Sequence, residues 1–445
     1  MNKIWKFLIN TAYDWRHSRA FRNTLILAVA GGASQLLGMV RDILMADKIG
    51  VGETLDIYYA AFKVPDFIYA VLISIVAGVT IIPILSKAVH DKDWKEVTHK
   101  YSALFNFFSV VTLVLCAMCY IFMPEIISII FPHTSIEWQI KVSDLSRIML
   151  VQPILLNVSN IFATLAMAEG KFITYAIAPL FYNLGIIFGI AGLYDNYGER
   201  GLVLGVVLGA AMNLAIQSLS FWNSPARLKL FVWDFKVVRE ELGLALPRSF
   251  SLIMLQGRAM FIASMTTLLG TGVLTAYTFS NNFFMIPVTA LIGSIITVAF
   301  PRLSTLFESS RFEEFYNKVE KDATILMIIS TISAIIFYFF SAQIVSLIYP
   351  HLNDKESVST MLSTLACTMP LYVLAVYYAR CSFARRDPVA PLISQSLSVV
   401  TMIISVYLLY KNDYGILSIV YAFNISLIVE FIIIFTLFHG NKSVM

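Results

Sequence analysis

Charge is what this chain has least of. Asp, Glu, Lys and Arg make up 13% of its 445 residues, about half the share of a soluble domain. So few charges cannot cover a surface in water, which excludes an ordinary soluble protein. Cysteine is scarce too: Cys116, Cys119, Cys367 and Cys381 are the four. The first two have CxxC spacing but sit inside an apolar run, so they read as small packing residues rather than a redox or metal pair. Histidine numbers only six, and no cluster of His, Asp or Glu has metal-ligand spacing. A membrane-embedded enzyme, a metal site and a cofactor are therefore not expected, and neither is nucleic acid as a partner. A cleavable signal peptide is also lacking. The basic, aromatic stretch over 1–21 has no small-residue cleavage pattern before the first apolar run and reads as a cytoplasmic leader.

Apolar residues are what the chain has instead, at 58%. Runs of about twenty recur from end to end, the length that crosses a bilayer as a helix. Charged and Gly/Pro-rich breaks divide them into twelve spans: 23–45, 57–86, 102–130, 146–168, 173–194, 201–222, 242–269, 273–300, 323–349, 359–379, 389–410 and 415–438. The expected fold class is an all-α polytopic membrane protein of about twelve transmembrane helices. With the N-terminus inside, 22 lysines and arginines fall in inner segments and 6 in outer ones. That asymmetry fits an N-in/C-in topology.

The chain also repeats itself. Ile82-Pro83-Ile84-Leu85-Ser86 matches Phe300-Pro301-Arg302-Leu303-Ser304, and Ile126 to Pro132 matches Ile344 to Pro350 at the same offset of 218. Span 1 then pairs with span 7, and so on to 6 with 12. An even offset keeps both halves in one orientation. The domain reading is a leader over 1–21, an N-lobe over 22–225 and a C-lobe over 226–445, two parallel six-helix repeats with a central cavity between lobes. Parallel repeats of this kind are a transporter design.

Polar groups inside a membrane are costly, so their placement informs. Span 1 holds Ser34, Gln35, Arg41 and Asp42. Span 2 holds Asp56 near its start, then Lys63 and Asp66. Span 7 holds Arg248, Gln256 and Arg258, and span 8 holds Asn281 and Asn282. These four spans are expected to line a water-accessible cavity. Arg258 lies mid-span with no acidic neighbour in sequence, which suits a cavity position facing an anionic group. Arg41 can instead snorkel toward headgroups, and Lys63 can neutralise Asp66 three residues on. Glu430, among Ile, Val and Phe in span 12, reads equally as a cation site or a cross-helix partner. Guanidinium forks suit phosphate oxygens.

The stretch Ser34-Gln35-Leu36-Leu37-Gly38-Met39-Val40-Arg41-Asp42, with Gly50, Asp56, Ala61-Phe62-Lys63-Val64-Pro65 and Pro83, resembles the opening of MurJ/MviN proteins. Ala178-Pro179 with Asn183, and Arg385-Arg386-Asp387 with Pro391, resemble the same family. It belongs to the multidrug/oligosaccharidyl-lipid/polysaccharide exporter superfamily. The resemblance implies a flippase that moves undecaprenyl-pyrophosphate-linked lipid II by alternating access, with helices 1, 2, 7 and 8 lining a cationic cavity. It carries over Arg41, Asp42, Asp56 and Lys63. With Arg258, Gln35, Ser34, Asn282 and Gln256 they form the expected substrate-binding set.

The chain departs from the family pattern in three arginines, replaced by Gln35, Tyr69 and Asn282, in Ile73-Ser74-Ile75, and in ending after twelve helices rather than fourteen. An exopolysaccharide or O-antigen repeat-unit flippase fits these departures. A cation-coupled multidrug antiporter is the other alternative. The expected setting is the bacterial cytoplasmic (inner) membrane, as a monomer among membrane lipids, with sodium or protons as candidate coupling ions.

Overall fold

The computed structural model describes residues 19–76, 85 and 87–440, and every element in it is a helix. Of the expected leader, 1–18 lies outside the described residues. In chain order the helices are α1 (Arg19–Lys48), α2 (Glu53–Ala61), α3 (Lys63–Val76), α4 (Trp94–Ile121), α5 (Met123–Ile130) and α6 (Ile136–Met149). Next come α7 (Val151–Ala168), α8 (Ile173–Phe188), a π turn (Gly189–Leu193), α9 (Tyr194–Tyr197) and α10 (Glu199–Trp222). The rest are α11 (Phe235–Leu269), α12 (Val273–Glu308), α13 (Phe312–Ile348), α14 (Lys355–Ala366), α15 (Met369–Ala384), α16 (Val389–Lys411) and α17 (Leu417–Gly440). The all-α polytopic reading is therefore what the chain adopts.

Eight helical stretches of the described residues are long and apolar enough to cross a membrane. A ninth candidate is α14 with α15, which pass the same test together and are bent by 53° at their junction. The expected span over 359–379 falls on this bent pair. Pro370 has no N–H to give the carbonyl of Ala366, and its ring crowds that carbonyl. The helix stops at Ala366 and restarts at Met369. The expected positions 23–45, 57–86 and 273–300 are helical where described, in α1, α2–α3 and α12. These are the helices richest in the polar residues singled out above.

Contacts divide the chain into two compact units. The first draws on the described parts of Met1–Leu44, Val64–Met123 and Asp144–Leu246; the second on Met45–Lys63, Pro124–Ser143 and Pro247–Met445. Two short segments of the N-terminal half thus group with the C-terminal half.

In the first unit, α8 and α10 meet backbone to backbone. A Cβ added to Gly185 would lie 2.2 Å from the Cα of Gly209, and one on Gly189 would lie 2.6 Å from the Cα of Gly205. Hydrogen is the only side chain that fits, the small-residue contact that membrane helices use in place of hydrophobic drive. Nearby, Tyr101, Phe108 and Leu104 of α4 pack with Ile161 and Leu165 of α7 in a buried cluster. Asp93 starts α4 by accepting from the N–H groups of Lys95 and Glu96 at 3.2 and 3.0 Å, a side-chain N-cap.

In the second unit, Arg385-Arg386-Asp387 is a joint between three helices. Arg385 donates to the Phe438 carbonyl at 2.8 Å and to Asp387 at 2.9 Å. Its guanidinium lies 4.7 Å from the Phe438 ring centroid. Asp387 in turn accepts from the N–H groups of Val389 and Ala390, capping α16. The motif fixes where α15, α16 and α17 meet.

Candidate substrate-binding cavity

Span-1 residues of the expected set gather in the first unit. Arg41 donates from Nε to Asp42 Oδ1 at 2.9 Å, and its Nη2 lies 2.8 Å from the same oxygen. Its Nη1 comes within 3.5 Å of Asn183 Oδ1 on α8. Asn183 in turn donates to the Ser34 hydroxyl at 3.2 Å. Asp42 is buried while Arg41 keeps a quarter of its side chain exposed. Ser34, Arg41, Asp42 and Asn183 therefore form one network between α1 and α8. Gln35, one residue on, is exposed. Deeper in this unit Tyr69 accepts from Asn160 at 3.2 Å, and Asp66 accepts from Gln152 at 3.2 Å.

Asp56 is placed differently. It is 3% exposed, and its carboxylate accepts from the N–H of Gly272 and from both the N–H and hydroxyl of Thr275, at 2.8 and 2.6 Å. Those are orphan donors at the start of α12. Gly272 sits at φ 85°, a left-handed conformation that glycine takes without strain. Asp56, expected at the substrate site, is a helix cap supplied from α2. A negative charge there also suits the positive end of the helix dipole.

The second unit holds a cavity of about 390 Å³. Lys63 of α2–α3, Arg258 of α11, and Asn281 and Asn282 of α12 are on its wall, with Tyr277, Tyr372 and Phe423. The structure thus brings Lys63, Arg258 and Asn282 of the expected set together. Gln256 is half-buried and outside the lining. Tyr372 and Phe423 come from helices outside the four expected to line a cavity, because aromatic residues in apolar runs carry no polar signal.

Arg258 is 7% exposed and donates from Nη1 to Glu430 Oε2 at 3.1 Å, with Ser398 Oγ within 3.5 Å. Its guanidinium also lies 5.4 Å from the Phe423 ring centroid. A buried arginine needs such a partner, since an uncompensated charge at low dielectric is expensive. Glu430, whose role the sequence left open, is the cross-helix partner of Arg258. Its lone charge in an apolar run was the signal, and nothing local tied it to Arg258. Among the described residues no three His, Cys, Asp or Glu side chains come together as a metal would need.

A helical polytopic chain with a cation-lined cavity has the form of a transporter-class membrane protein. The family model described as lipid II flippase MurJ matches residues 45–444, and the chain belongs to that family. A probable lipid II flippase MurJ of Buchnera aphidicola is 24% identical over 328 residues, which span 72% of this chain and 63% of that protein. Among solved structures, a lipid II flippase MurJ in an inward closed conformation superposes with a TM-score of 0.79 at 21% identity, covering 94% of this chain and 87% of its own. An inward-facing multidrug resistance MATE family transporter of the MOP superfamily superposes with a TM-score of 0.76 at 15% identity, covering 92% and 95%. The two structures share this fold.

Proposed function

We propose that this chain is a flippase that moves an undecaprenyl-pyrophosphate-linked saccharide, with lipid II as the first candidate, from the cytoplasmic to the outer leaflet by alternating access. Membership of the lipid II flippase MurJ family over 45–444 carries the reading. The cavity chemistry supports it: a lysine and an arginine on one wall suit pyrophosphate oxygens. Asn281, Asn282 and the tyrosines add hydrogen-bonding groups suited to a saccharide. The prenyl tail stays in lipid, where its burial is favourable. The membrane is the bacterial cytoplasmic membrane, the topology N-in/C-in, and the repeats over 22–225 and 226–445 are the two halves of a monomer. Membrane potential acts on any net charge moved, at about 2.3 kcal/mol per charge per 100 mV, with sodium or protons as candidate coupling ions.

Expression in cells depleted of their own lipid II flippase tests the cargo. Rescue of growth is the expected result. No rescue, together with loss of a surface polysaccharide on deletion of the gene, overturns lipid II in favour of a related glycan. The departures from the resemblance at Gln35, Tyr69 and Asn282, all uncharged, favour that second reading. A multidrug antiporter predicts instead a changed drug-resistance profile in the deletion strain.

A further inference from the structure

Arg258 is held in an unusual way for an anion-binding arginine. Only one arm of its fork is occupied: Nη1 donates to Glu430 and approaches Ser398. Among the described residues, Nε and Nη2 have no hydrogen-bond partner, although Arg258 lines the cavity. Glu430 is outside that lining, so it reaches the guanidinium from behind the wall. The Ser398 hydroxyl donates to the Ser426 carbonyl at 3.0 Å, which turns its lone pair toward the arginine. The free edge of a planar fork can pair with a phosphate in bidentate fashion.

A bound phosphate and Glu430 would then share one cation. The two anions repel each other in a site that is more than nine-tenths closed to solvent, where Coulomb terms are large. A carrier must bind strongly enough to load and weakly enough to release. We propose that Glu430 is a built-in competitor of the cargo's pyrophosphate for Arg258. It neutralises the arginine when the cavity is empty and weakens the hold on the anion when the cavity is full. A neutral acceptor at 430 would satisfy the same N–H but would not push the anion off. The inference rests on the pyrophosphate cargo proposed above.

Purified full-length protein in lipid nanodiscs, with undecaprenyl pyrophosphate as the probe, tests it. Glu430→Gln should bind the probe about tenfold more tightly, the order expected from removing one competing charge at this range, and should flip it more slowly in proteoliposomes. Arg258→Gln should bind more weakly than wild type. Glu430→Asp, which shortens the side chain by one carbon, should fall between wild type and Glu430→Gln, and it serves if Glu430→Gln does not fold. Binding by Glu430→Gln or Glu430→Asp that is unchanged or weaker, with melting retained, overturns the competitor role and leaves Glu430 a structural counter-ion. Wild type that fails to bind the probe overturns both this inference and the cargo reading. Wild type that binds, with unchanged glutamate variants, overturns this inference alone.

Discussion

The molecule holds two of its arginines in contrasting ways. Arg41, in the first unit, pairs with the next residue in the chain, Asp42, and stays a quarter exposed. Arg258, in the second unit, pairs with Glu430, 172 residues away, and both are more than nine-tenths buried. The first pair is set locally, and its arginine stays in reach of water although Asp42 is buried. The second is a fold-wide commitment, because α11 and α17 must be packed before either charge has a partner. Burial, not the presence of a salt bridge, sets what each pair is worth.

The largest effect should come from breaking the buried pair on one side. Arg258→Met or Glu430→Leu alone leaves a buried charge uncompensated and should destabilise by about 3–5 kcal/mol. The double substitution should recover most of that stability while transport stays lost. Thermal unfolding of the four proteins in one detergent measures it. Additive losses in the double variant would show that the two residues do not act as a pair.

Next in size should be the helix contact of the first unit. Gly185→Ala places a Cβ against the Gly209 backbone, which no rotamer change can relieve. Overpacking of this kind costs about 1–3 kcal/mol, read as a lower unfolding temperature with both arginine pairs intact. Asp56→Ala should cost about 1–2 kcal/mol by uncapping α12, whereas Asp56→Ser, which keeps an acceptor, should cost less. If Asp56→Ala abolished transport at unchanged stability, the carboxylate would be a cargo contact rather than a cap.

The same contrast explains what was legible in the sequence. The helices were legible because twenty-residue apolar runs admit little else in a bilayer. Arg41, Asp42 and Ser34 were legible as a group because they lie on one helix. Lys63, Arg258 and Asn282 were each legible as costly, and their meeting on one cavity wall required tertiary structure. The cap that Asp56 gives α12 was not legible, because a carboxylate near a span start looks alike whether it caps a distant helix or meets a ligand. The break between α14 and α15 was marked by Pro370, but the apolar run passes through it without a change in hydropathy.

The smallest effect tests the contrast from the other side. His99 of α4 and Asp234, ahead of α11, also pair at long range, 135 residues apart and 3.0 Å between Nε2 and Oδ2. Unlike Arg258 and Glu430 they are open to water. The His99 hydrogen bond, helped by the Val237 and Lys236 N–H groups, holds the Asp234 carboxyl below the usual carboxylate range. A carboxyl depressed in the folded state binds fewer protons there than in the unfolded chain. Its stabilisation is present above the unfolded value of about 3.9 and fades as pH falls through the depressed folded value. Asp234→Asn should therefore lower the unfolding temperature slightly at neutral pH, and the gap to wild type should close on acidification. Solvent and salt screen this pair, so the gap should also narrow in high salt. A gap as large as that of Glu430→Leu, unmoved by salt, would mean that sequence separation rather than burial sets the worth of these ion pairs.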